Sequence, residues 1–95
     1  MRKTIYTPEY AIVRDILLAA RQEAGLSQRD VAARLKVPPS WVAKVELKER
    51  RVDVVEFVRI LRACGANVDA ALAQLVQAMP AADESRPRKR GRGTN

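Results

Sequence analysis

Two short apolar-patterned segments, separated by a few residues that include a double proline, constrain this chain most. They lie in QRDVAARLKVPPSWVAKVEL, residues 28–47. Proline cannot continue an incoming helix but is well suited to the first turn of a new one, so one helix must end before Pro38 and another begin near Pro39. Each segment is too short to be a stable helix alone in water. The two helices therefore have to brace each other and rest on further helices.

Three further helices are predicted from apolar residues at helical spacing and from terminal residues. Ser27 and Asp53 each precede an acidic residue by three positions, which is a variant of the capping box. Gly25 and Gly65 mark two helix ends. The first predicted helix begins at Pro8, after the cap Thr7, and is ended by Gly25. The next three run from Ser27 to about Leu35, from about Pro39 to Leu47 and from about Val54 to Cys64. The fifth covers Val68 to Met79, with Asn67 as its cap and Pro80 after its end.

Composition excludes several classes of protein. Ninety-five residues make one small domain. The chain has no histidine and one cysteine, Cys64, which argues against a disulfide framework, the usual zinc sites and histidine-based catalysis. No apolar run approaches the roughly 20 residues that span a bilayer, and no secretion signal begins the chain. We therefore expect a cytoplasmic protein that is not an enzyme and has no metal, cofactor or membrane contact.

The basic charge points to a polyanionic partner. The net charge is +7. Residues 1–80 carry 13 Lys and Arg against nine Asp and Glu, and residues 81–95 carry five against two. Both parts are basic, as in nucleic-acid-binding proteins, although solubility alone also favours net charge. Residues 81–95 lack apolar periodicity, so we predict a domain over 1–80 followed by a disordered basic tail.

The segments LLAARQEAGLSQRDVAARLKVPPSWVAKVE and ERRVDVVEFVRILRACGANVDAAL resemble the lambda-repressor-like, Xre-type helix-turn-helix regulators of bacteria and phages. The resemblance extends from about Ile16 to Leu75. It implies an all-α fold of five helices, with the helix-turn-helix motif at about 28–47. It also implies binding to double-stranded DNA as a homodimer, usually as a repressor that acts in the cytoplasm on the bacterial nucleoid.

The sequence departs from the family pattern at three positions. Lys36 and Lys48 stand where the family usually has glycine, and both add a cation near the expected phosphate path. If either position needs a positive φ, lysine costs roughly 1 kcal/mol there. Pro38 stands where a capping Ser or Thr is common and offers no side-chain acceptor to the third helix.

The resemblance assigns candidate DNA contacts to the second and third helices. The outward face of the third helix would read bases, because Lys44 can donate to guanine, Ala43 can touch a thymine methyl and Ser40 can pair with several bases. The base-reading candidates are Pro39, Ser40, Ala43 and Lys44. The phosphate-contact candidates are Gln28, Arg29, Trp41, Lys48, Arg50 and Arg51. Trp41 has an equal alternative as packing against a neighbouring helix.

Other residues receive structural or assembly roles. The family pattern predicts an ion pair between Arg21 and Glu46, and Cys64 is expected in the core. The apolar surplus of the fifth helix predicts a dimer interface of Leu75, Val76 and Met79, with completion of the monomer core as the alternative. In the tail, a phosphate-binding arm is predicted at Arg88, Lys89, Arg90 and Arg92, with a minor-groove AT-hook as a weaker alternative.

Three other functions remain open at this point. The first is an antitoxin that represses its own promoter and binds a toxin. The second is a protein-interaction adaptor that does not read DNA. The third is a nonspecific nucleoid or RNA-binding protein. The thin set of base-reading side chains on the third helix favours the last of these. Besides DNA, the protein partner expected for such a regulator is a toxin or an antirepressor.

Overall fold

A computed structural model describes residues 7–79 of the chain. Within them lie five helices and no strand: α1 (Pro8–Glu23), α2 (Gln28–Leu35), α3 (Pro39–Glu46), α4 (Val54–Ala63) and α5 (Val68–Ala78). The all-α, five-helix fold class is thereby confirmed. No helix in this part of the chain is long and apolar enough to cross a bilayer. The predictions for residues 80–95, including the disordered tail and its basic arm, lie outside the described residues.

The helices begin where the capping residues predicted. Ser27 accepts a hydrogen bond from the Asp30 amide, and the Asp30 carboxylate accepts one from the Ser27 amide. That backbone hydrogen bond holds the pKa of Asp30 below its ordinary value. Asp53 and Glu56 form the same reciprocal pair at α4. The first turn of α3 has no side-chain cap, as expected from Pro38.

Three helices end one residue earlier than predicted. α3, α4 and α5 stop at Glu46, Ala63 and Ala78, and the next residue of each is the C-cap. Cys64 is nevertheless buried in the core, and that burial raises the pKa of its thiol. The shift of one residue moves no predicted side chain to another face.

One hydrophobic core joins all five helices. Its centre is Leu61 of α4, which is fully buried, with Val31 of α2 and Val45 of α3 beside it. α2 packs against both α3 and α4, while α1 crosses α3, α4 and α5. α1 packs against α3 and α4 packs against α2, so both short helices are supported by a longer one. Helices this short are not stable alone in water. The complete buried cluster consists of Ile16, Leu17, Val31, Ala32, Leu35, Val42, Val45, Phe57, Ile60, Leu61, Cys64 and Ala71.

Two lysines occupy left-handed backbone positions after α2 and α3. Lys36 and Lys48 have φ values of 61° and 62°. An L-residue with a Cβ is disfavoured in this region, whereas glycine is not. Both lysines therefore carry the backbone strain that the sequence analysis expected if these positions have a positive φ.

We expect Lys36→Gly to stabilise the protein by about 0.5–1 kcal/mol, because relief of the Cβ clash exceeds the added entropy of glycine in the unfolded chain. Urea denaturation measures the change. Lys44→Gly is the matched control, since it removes the same charge from a helical position and should cost about 1 kcal/mol. Equal destabilisation by both variants would refute the strain argument.

Tyr10 ties the start of α1 to the segment between α3 and α4. Its side chain is buried, and its hydroxyl donates to the Arg50 carbonyl at 2.9 Å and accepts from the Val52 amide at 3.0 Å. Burial raises the pKa of this phenol, against the opposing effect of the Val52 hydrogen bond. No local pattern predicts this role for Tyr10, because its partners are 40 and 42 positions away along the chain.

Tyr10→Phe should lower the free energy of unfolding by about 1–2 kcal/mol, because an amide and a carbonyl lose their partner while the packing is kept. Chemical denaturation of the two proteins at one pH measures the difference. A loss below about 0.3 kcal/mol would mean that water replaces the hydroxyl at no cost.

Candidate nucleic-acid interface

The outward face of α3 is the centre of the candidate interface. Val42 and Val45 are buried beneath the helix. Helical periodicity therefore turns Ser40 and Lys44 away from the core, and both are exposed. The structure thus brings the predicted base-reading residues together on one short helix. Pro39 is exposed in its first turn, and Ala43 is half-buried on the flank of this face.

Leu47 is a member of this face that the sequence analysis missed. It follows Ala43 by one helical turn and Ser40 by two, and it is 59% exposed. Extending the α3 periodicity by one residue past the helix end would have found it. An exposed leucine beside Lys44 adds an apolar surface suited to a thymine methyl group or a sugar.

A network around Glu46 fixes the position of α3. Arg21 and Glu46 form a two-point ion pair, with Nε to Oε2 at 2.7 Å and Nη2 to Oε1 at 3.0 Å. Their side chains are 16% and 11% exposed. The hydrogen bond to Glu46 raises the pKa of Arg21 above its ordinary value. Arg21 also donates to the Leu26 carbonyl at 2.9 Å, so the pair predicted from the family pattern links α1 to α3 and to the start of α2.

Gln28 and Arg14 complete the same network. The Gln28 side-chain amide donates to Glu46 Oε1 at 2.8 Å, and Arg14 donates to the Glu46 backbone carbonyl at 2.8 Å. The amide nitrogen of Gln28 carries a second hydrogen that this bond does not use. Gln28 is therefore held at the first residue of α2 with one donor left for an anion, next to the positive end of the helix.

Two of the six predicted phosphate contacts face α4 instead of the outward face of α3. The Arg50 guanidinium lies over the Trp41 ring, 4.7 Å from its centroid, and donates to Glu56 at 3.2 Å. Trp41 is half-buried and packs against the core. This arrangement favours the packing alternative for Trp41, and it engages Arg50 within the protein. No local pattern in the sequence predicts the contact of Arg50 with Trp41 and Glu56.

The other predicted phosphate contacts surround α3. Arg29 is exposed in the first turn of α2. Arg51 is exposed after α3 and lies 5.5 Å from the Tyr10 ring centroid. Lys48 is half-buried just beyond the end of α3. With Lys44 these residues make the surface around the α2–α3 pair basic, which favours a polyanion.

α5 exposes an apolar stripe on the side away from the core. Leu72, Val76 and Met79 follow helical spacing, and Val76 is 63% exposed. Leu75, which was also predicted in the dimer interface, is half-buried against the core, as in the alternative of core completion. Val76 and Met79 of the stripe were predicted from the sequence, whereas Leu72 was not, because the spacing alone does not define which flank of α5 meets α1.

The same architecture occurs in known proteins. Residues 16–78 match a helix-turn-helix domain family. An XRE-family like protein from Pseudomonas syringae pv. tomato str. DC3000 is 43% identical, with a TM-score of 0.71 over 76% of this chain and 88% of that one. No curated protein matches this chain.

Two more distant structures share the fold. The clp gene regulator ClgR from C. glutamicum is 20% identical with a TM-score of 0.67, over 79% of this chain and 97% of that one. The restriction-modification controller protein C.Esp1396I, solved as a tetramer with its natural 35 base-pair operator, is 15% identical with a TM-score of 0.68, over 76% of this chain and 95% of that one. The family match and the 43% identical relative establish that this chain belongs to the lambda-repressor-like, XRE family of helix-turn-helix transcriptional regulators.

Proposed function

We propose that this protein is a dimeric repressor that binds specific DNA sequences by inserting α3 into the major groove. The observation that carries the proposal is the exposed face of Ser40, Ala43 and Lys44 on a helix fixed by the Glu46 network. A reading helix has to be exposed on one side and held rigidly on the other, and α3 meets both conditions. Membership of a DNA-binding regulator family supports the proposal.

Each residue of the outward face has a role in this proposal. Lys44 donates to guanine O6 and N7, Ser40 pairs with a base edge or an adjacent phosphate, and Ala43 contacts a thymine methyl. Pro39 makes a van der Waals contact at the start of α3. With a single long cation on the face, direct readout depends mainly on Lys44.

Phosphate contacts fix the orientation of the domain on the duplex. Gln28 and the exposed amides of the first turn of α2 clamp one phosphate, with Arg29 beside them. Lys48 and Arg51 contact the backbone beyond the end of α3. The contacts predicted for Arg50 and Trp41 stay predictions, because both side chains are engaged on the α4 side.

The α5 stripe supports the dimer. A second copy that packs Leu72, Val76 and Met79 against the same residues would remove three large side chains from water. A twofold axis there would place two α3 helices about one DNA turn apart, roughly 34 Å. The predicted domain covers residues 1–80, of which the structure describes residues 7–79. We propose that the basic tail after it is a nonspecific DNA-binding arm.

Val76→Asp should convert the dimer to a monomer, because a charge would be buried in the centre of an apolar contact. Sedimentation equilibrium measures the change in association constant, which we expect to fall by at least about a hundredfold. Gln77→Asp, which is exposed about 100° around the same helix from Val76, is the matched control. An unchanged dimer in the Val76 variant would place the interface elsewhere.

Selection of bound sequences from a random duplex library tests the function itself. The full chain is used near physiological salt, because affinity without a stated salt concentration has no meaning. Enrichment of an inverted repeat, with half-sites about one turn apart, is the expected result. Retention of DNA without an enriched motif would favour the nonspecific binder, and no retention would favour the protein adaptor.

A further inference from the structure

A small pocket opens between the α2–α3 turn and α4. Its walls are Leu35, Val37, Trp41 and Ile60, with Glu56 and Arg59 at the rim, and its volume is about 90 Å³. One water molecule needs roughly 10–15 Å³ of such space, so the pocket has room for several waters or for one aliphatic side chain. We refer to it as the Trp41 pocket.

The charge at the rim of the Trp41 pocket is positive. Glu56 is already satisfied, because one carboxylate oxygen accepts from Arg50 at 3.2 Å and the other from the Asp53 amide at 2.9 Å. Arg59 is exposed and has no ion-pair partner among residues 7–79. Arg62 is exposed one turn later on the same helix. The surface around the apolar pocket therefore attracts an acidic group.

Trp41 gives the pocket the chemistry of a binding site. Tryptophan and arginine are the residue types most enriched where a partner side chain is anchored in a desolvated pocket. The Arg50 guanidinium packs on the Trp41 ring and holds it in place, so the wall needs no rearrangement on binding. Preformed walls lower the entropic cost of association.

The Trp41 pocket borders the proposed reading face. Trp41 lines the pocket against α4, and Lys44, which follows it by three positions on α3, is exposed beside it. An occupant of the pocket would therefore lie at the edge of the reading face.

We propose that the Trp41 pocket is the docking site for an acidic segment of another protein, which inserts one aliphatic side chain and pairs its carboxylates with Arg59. The apolar walls select the anchor, and Arg59, which has no ion-pair partner among residues 7–79, selects the charge of the flanking residues. A protein bound there would lie next to the proposed reading face. The docking itself does not depend on the proposed DNA binding.

A defined peptide tests the proposal. The probe is an acetylated, amidated pentapeptide with a central leucine flanked by two aspartates and two glutamates, added to isotope-labelled full-length protein. Because the chain has one tryptophan, the indole N–H signal in the NMR spectrum reports on the pocket directly. We expect a saturable shift of that signal with a dissociation constant on the order of 1 mM.

Two control peptides and two variants make the test specific. Replacement of the central leucine by alanine, or of the acids by lysines, should weaken binding at least about fivefold, and so should Arg59→Glu. Gln77→Glu adds a negative charge on the exposed surface of α5, which does not line the pocket, and should leave the peptide affinity within about twofold.

Three results would overturn the proposal. One is the absence of a shift up to about 10 mM peptide, tenfold above the expected constant. Another is equal binding by the Arg59 variant. The third is displacement of the peptide by a short DNA duplex that shifts the indole signal in the same way, which would assign the pocket to nucleic acid. Failure of DNA binding in the library selection, by contrast, would leave the peptide result unchanged.

Discussion

Replacement of Glu46 by alanine lowers the free energy of unfolding by about 2–3 kcal/mol, the largest loss of stability that we expect from one polar residue. The Arg21 guanidinium and the Gln28 amide both lose their acceptor, and Arg21 remains largely enclosed as an unpaired charge. The cost stays below that of a completely buried pair, because both side chains retain some contact with water. Urea denaturation with an unchanged m-value measures it.

Asp15→Ala is the matched control for this loss. Asp15 pairs with Arg14 at 2.7 Å, but its side chain is 66% exposed, so its removal should change stability by no more than about 0.5 kcal/mol. A double-mutant cycle of Arg21→Ala and Glu46→Ala then isolates the coupling between the two partners. If Glu46→Ala costs no more than Asp15→Ala, the network does not hold α3.

Lys44→Ala should weaken binding to the selected operator by about 10- to 100-fold, which corresponds to the roughly 1–3 kcal/mol of a good side-chain contact to guanine. Fluorescence anisotropy at fixed salt measures the affinity for the operator and for an unrelated duplex. The loss should be much smaller on the unrelated duplex, because a base contact contributes only where the base is present.

Arg62→Ala removes the same charge from an exposed position on α4 and serves as the control for general electrostatics. We expect it to change operator affinity by less than about threefold. An equal loss on both duplexes for Lys44→Ala, with a salt slope reduced by about one, would instead identify Lys44 as a phosphate contact. That outcome would transfer base readout to other residues of the face, with Leu47 as the next candidate.

Several site residues could be placed from the sequence, and several could not. Ser40 and Lys44 were placed correctly on the exposed face, because helical periodicity alone determines which side of α3 is opposite Val42 and Val45. Arg21 and Glu46 were paired from the family pattern. Leu75, by contrast, was assigned to the dimer interface and is half-buried against the core, whereas Leu72 lies in the exposed stripe. The angle at which α1 crosses α5 determines which of these two leucines is exposed.

The sequence by itself determined the five helices, their capping residues and the apolar faces of α1 to α4, because these features depend on residues within one or two turns of each other. Only the tertiary structure decided that Gln28 would hold Glu46, that Arg50 would stack on Trp41, and that Tyr10 would join α1 to the segment after α3. Such contacts depend on the angles and distances between packed helices, which no local pattern encodes. The positive φ of Lys36 is also decided by the tertiary structure, because the turn after α2 has to bring α3 onto the core. The packing of α3 stabilises this strained backbone position.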